Sequence, residues 1–109
     1  MTILIEKTTE AAVSETISFV LDSPATERAI NEGYFPKEST VCVTGGSLGA
    51  EEYVKLEYND GESWVTLNVS GDEGKILDTD NSARTIYGRL VNVRLSKSET
   101  SSARGVMVV

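Results

Sequence analysis

Three observations predict an all-β fold, an antiparallel β-sandwich or flattened barrel of jelly-roll or Ig-like style. Short runs of β-branched and aromatic residues recur along the chain. Clusters of Gly, Asp, Asn and Ser separate them. The clearest runs alternate apolar and polar residues, the mark of a sheet with one buried face. The spacing predicts seven to eight short strands, with one short helix near Pro24–Asn31. A chain of 109 residues supports one hydrophobic core, which leaves no room for separate catalytic and substrate domains.

Taken in order, Ile3–Lys7 reads as a short strand or an extended arm, and Glu15–Leu21 sets Ile17, Phe19 and Leu21 against Thr16, Ser18 and Val20. The small, polar Thr8–Ser14 between them predicts a loosely tied start. Residues 1–14 are therefore expected as a strand or arm, and residues 15–109 as a single sandwich domain. Asp22-Ser23-Pro24 predicts a helix start, with Ser23 as N-cap, Pro24 in the first helical position and Gly33 as the stop. After Tyr34-Phe35-Pro36, a strand at Thr40–Thr44 runs into Gly45-Gly46-Ser47-Leu48-Gly49. That loop lacks both the glycine spacing and the following helix of a phosphate cradle, so a β-turn or bulged loop is expected.

Val54–Tyr58 and Ser63–Val69 flank Asn59-Asp60-Gly61-Glu62 and predict a hairpin. A tight turn at Asp60-Gly61 pairs Leu56 with Val65 and Val54 with Leu67, so the apolar residues share a face. The same register puts Tyr53, Lys55 and Glu57 with Trp64, Thr66 and Asn68 on the other face. A bulge would instead turn Trp64 into the core, and the helix near Ala25–Ile30 could also cover its ring. Strands at Lys75–Leu77, Thr85–Tyr87, Arg89–Leu95 and Gly105–Val109 follow. A hairpin loop at Lys97–Ser102 would place Val93 opposite Val106 and Val91 opposite Val108.

The chemistry is narrow. With no histidine, imidazole-based triads and His-ligated zinc or haem sites are excluded. Asp78 with Asp80, and Glu51 with Glu52, are expected as solvated charges rather than as an acid–base pair, and Asp78–Ser82 departs from a calcium loop at Ala83 and Arg89. Cys42 is expected as a small packed residue. No catalytic, cofactor-binding or metal-binding residue is expected, and no enzymatic activity. A net charge of −7 without a basic cluster argues against nucleic acid. No apolar run is long enough to cross a bilayer, no signal peptide is expected at the start, and Asn68-Val69-Ser70 is expected to be a strand end rather than a glycosylation site.

The stretch from Tyr53 to Leu67, followed by Thr85–Leu95 and the terminal Gly105–Val109 run, resembles the small β-sandwich accessory proteins of tailed-bacteriophage virions. About half the chain carries the likeness, which is one of architecture and not of a signature motif. It implies a capsid decoration or cement protein, non-enzymatic and without a cofactor. Such a protein is made in the host cytoplasm and sits on the outer capsid surface of the virion, where small homo-oligomers, dimers or trimers, bind the major capsid protein. The expected partner-interface residues are Trp64 and Tyr53 on the polar face, and Ile3, Leu4 and Ile5 in a strand-adding arm. Alternatives are a carbohydrate or receptor-binding module that uses Trp64 and Tyr53 as a stacking platform, with Asp78 and Asp80 as polar or calcium-assisted contacts, and a tail or neck component.

Overall fold

The computed structural model describes residues 2–67 and 74–109. Asn68, Val69, the sequon and most of the Gly71–Gly74 turn lie outside them. Among the described residues, eleven strands form two sheets and one short helix joins two of the strands. The strands are β1 (Thr2–Thr8), β2 (Ala12–Val13), β3 (Ile17–Leu21), β4 (Tyr34–Pro36), β5 (Ser39–Thr44), β6 (Val54–Asn59), β7 (Trp64–Thr66), β8 (Lys75–Leu77), β9 (Ala83–Ile86), β10 (Leu90–Lys97) and β11 (Arg104–Val108), with helix α1 at Glu27–Asn31. The four-stranded sheet has the order β1-β11-β5-β9. The seven-stranded sheet runs β4-β3-β10-β6-β7, with β2 also on β10 and β8 also on β6. The all-β sandwich expected from the sequence is the fold observed. The count exceeds the seven to eight strands expected, partly because β2 and β4, two and three residues long, are too short to show a period.

Alternation puts one face of each sheet inside. Phe19, Val54, Leu56, Leu77, Val93 and Leu95 from the seven-stranded sheet meet Val41, Ile86, Val106 and Val108 from the other, all nearly solvent-free. Phe19 and Phe35 stand side by side on β3 and β4, ring centroids 5.8 Å apart. At about 25 cal/mol per Å² of apolar surface removed from water, these side chains supply the main driving force for folding.

The structure corrects several local expectations. Thr26, not Ser23, caps α1, its hydroxyl accepting from the Ala29 N–H at 3.2 Å. Gly33 does follow the helix, at φ 86°. It leads into β4, which lies parallel to β3, whereas the other strand pairs among the described residues are antiparallel. The 6–7 hairpin turns over four residues, not two: Asn59 pairs with Trp64, and Leu67 donates to Leu56 O instead of facing Val54. Asp60 holds that turn by accepting from Glu62 and Ser63 N–H, both at 2.9 Å. A slip of two residues keeps every side chain on its expected face.

The expected pairing of β10 with β11 does not occur. β10 lies in the seven-stranded sheet against β3, β2 and β6, and β11 lies between β1 and β5 in the other. The intervening loop therefore crosses between sheets. Val93 and Val106 point into the core in either arrangement, so parity alone cannot separate a hairpin from a crossing. Val91 is 49% exposed because a bulge between Leu90 and Val93, with Asn92 at φ 54°, removes it from the inward set.

The N-terminal segment is not loose. β1 is paired along β11 and β2 along β10. Thr100 donates to Thr9 O and Thr8 O, and Lys97 Nζ donates to Glu10 O at 2.7 Å.

Candidate interaction face

Strands β10, β6 and β7 present their outward residues on one face of the seven-stranded sheet. Arg94 stands opposite Glu57 in the β10–β6 ladder, and its Nε donates to Glu57 Oε1 at 2.8 Å. The pair is well covered, with side chains 23% and 16% exposed. The same guanidinium lies 4.3 Å from the Trp64 ring centroid. One cation therefore neutralises a carboxylate and stacks on an indole, holding both in place. Trp64 takes the polar-face placement, one of the two left open by the sequence, and is half-buried with the Arg94 guanidinium over its ring.

Tyr53 occupies the other end of the strip. Lys55 Nζ is 4.9 Å and Lys75 Nζ 5.3 Å from its ring centroid. Tyr53 is six residues from Asn59, Trp64's partner, so at about 3.3 Å per residue their backbones are about 20 Å apart along the strand. They mark two ends of one strip.

Ile3, Leu4 and Ile5 fare differently. Ile3 is 46% exposed on the outer side of the four-stranded sheet, opposite Met107. Leu4 is half-buried at a bulge, and Ile5, at 4% exposure, belongs to the core opposite Val106 and cannot meet a partner. Glu57, Arg94 and Lys75 lie on the same candidate face, and the sequence reading did not select them. Glu57 shared the predicted outward face with Trp64, but Arg94 reaches it only through β10–β6 pairing across 37 positions, a contact that has no local signal.

The remaining acidic candidates serve turns. Asp78 Oδ1 accepts from Asp80 N–H and Asn81 N–H, both at 3.0 Å. Glu52 accepts from Gly49 N–H at 2.7 Å and Ser101 N–H at 2.8 Å, clamping two loops. Those donors hold its carboxyl below the usual carboxylate range. Burial pushes the Cys42 thiol up, which makes it a poor nucleophile. Among the described residues no group of three or more Asp, Glu, His or Cys is arranged to hold a metal ion.

Comparison with known proteins finds no matching family model, no matching curated protein and no matching solved structure. The two-sheet all-β class rests on the structure itself.

Proposed function

We propose that this protein is a non-enzymatic structural component of a tailed-bacteriophage virion, one that binds the outer capsid surface and holds neighbouring major capsid subunits together. The observation that carries this reading is the Glu57–Arg94–Trp64 arrangement, a preordered aromatic and charged patch on a sheet face. Trp and Arg are the residue types that most often dominate protein interfaces, and ordering them before contact lowers the entropy lost on binding. The acidic charge of −7 suits a protein that must not compete for packaged nucleic acid. Small affinities repeated over a symmetric shell multiply by avidity, so a modest patch is sufficient.

Co-sedimentation with undecorated capsids of the virus that encodes the chain tests the reading. Wild-type protein should pellet saturably, and W64A should bind about 30-fold more weakly, the scale of a central interface residue costing about 2 kcal/mol. Unfolding curves of the variant establish that it is folded. Saturable binding unchanged in W64A would place the contact elsewhere, and absence of binding by the wild type would remove the capsid reading.

A further inference from the structure

The flank of the sandwich farthest from β7 carries a second surface. Here β1 is the edge of the four-stranded sheet and β4 the edge of the seven-stranded sheet. Two grooves, of about 400 Å³ and 280 Å³, share Thr2, Ile30 and Phe35 and so make one continuous furrow beside α1. Leu4, Ile17, Ile30 and Phe35 give it an apolar lining. Its ionisable lining residues, Glu6, Glu15, Glu32 and Glu38, are all carboxylates.

Three properties coincide in this furrow. An edge strand offers backbone donors and acceptors on its open side. An apolar floor takes alternate side chains of an added strand. Like charges gathered around a concave surface sum their fields, favouring a cationic ligand and repelling an anionic one.

We propose that the furrow is a strand-addition site for a short, extended, basic segment of another polypeptide, one that alternates Lys or Arg with apolar residues. Its backbone extends the four-stranded sheet beyond β1. Its apolar side chains settle toward Leu4 and Ile30, and its cations meet the glutamates. Register shifts in β1 after Ile3 and after Ile5 interrupt a long ladder, so the matched stretch is short, about five residues. A second copy of this chain is the poorer occupant, because pairing β1 with β1 about a two-fold axis brings two sets of glutamates together. The site lies across the sheet from Trp64 and does not depend on the capsid reading.

Fluorescence anisotropy with a labelled nonapeptide of alternating Lys and Val provides the test, with Glu/Val and Lys/Gly nonapeptides as controls. The Lys/Val peptide should bind, and E6Q/E15Q/E32Q, three exposed positions, should weaken it about tenfold. The single reversal E15K should weaken it as well. Hydrogen exchange should slow in β1 when peptide is bound. Equal binding of either control, unchanged affinity in both variants, or protection confined to β6 and β7 would overturn the proposal. So would self-association that occludes the furrow.

Discussion

Lys97 is the residue that departs furthest from what its chemistry favours. It is 2% exposed, and its ammonium is held by two backbone carbonyls, Glu10 O at 2.7 Å and Ser98 O at 3.0 Å. Burial lowers its pKa, and nearby Glu52 and Glu99 oppose that shift. Its long stem fills core volume while its head ties the N-terminal turn to the end of β10, two roles that substitutions separate. K97A should destabilise by about 2–5 kcal/mol in urea unfolding, as for other long buried side chains. K97M should recover only part of that loss, because it keeps the stem's packing but gives up two hydrogen bonds from a charged donor, each worth about 1.5–3 kcal/mol. Equal losses in both variants would show that the ammonium matters more. Glu52 is one of three carboxyls, with Asp22 and Asp60, whose contacts add acid sensitivity. Its folded pKa lies below its unfolded one, so its contribution is present above the ordinary carboxylate pKa and is lost as pH falls through the folded value. Thermal unfolding followed from about pH 7 to about pH 3 should show a drop beginning near pH 4–5. That drop should be shallower in E52Q, and identical acid limbs would remove Glu52 as a cause.

Among the elements, β11 holds the four-stranded sheet together, because both β1 and β5 use it as a ladder partner. Its Gly105 is packed so closely that an added Cβ would run into Ile5 O and Thr44 Oγ1. Deleting Val106–Val109 should strand two neighbours at once and give an insoluble product in a solubility assay. A soluble fragment that unfolds cooperatively would contradict that role. Which side chains of the β6–β7 hairpin point inward was legible in the sequence, whereas the burial of Ile5 and Lys97 and the exposure of Val91 were not. The alternation of Val54, Leu56, Val65 and Leu67 held through a turn two residues longer than expected, because an even slip preserves faces. Which strands lie side by side was not legible. Val93 and Val106 satisfy the core equally as hairpin partners or from opposite sheets, and only the crossing loop after Lys97 decides between them. The Arg94 contact to Glu57 and Trp64 was hidden for the same reason. Trp64 could be placed by its own hairpin, and its cation could not.

At the scale of the whole molecule, the two surfaces divide cleanly. The strip from Trp64 to Tyr53 is mixed in charge and ordered by cation–aromatic contacts, whereas the furrow beside β1 is concave and acidic. If both surfaces take partners as proposed, one small domain would link two polypeptides, which is what joining neighbouring subunits of a shell requires. The most direct measurement is electron microscopy of undecorated capsids mixed with the purified protein, at a resolution that fixes the orientation of each bound copy. The account predicts regularly spaced density on the outer shell with Trp64 and Arg94 turned toward the major capsid protein. Saturating protein that leaves the shell bare, or bound copies whose Trp64 face points to solvent, would contradict it.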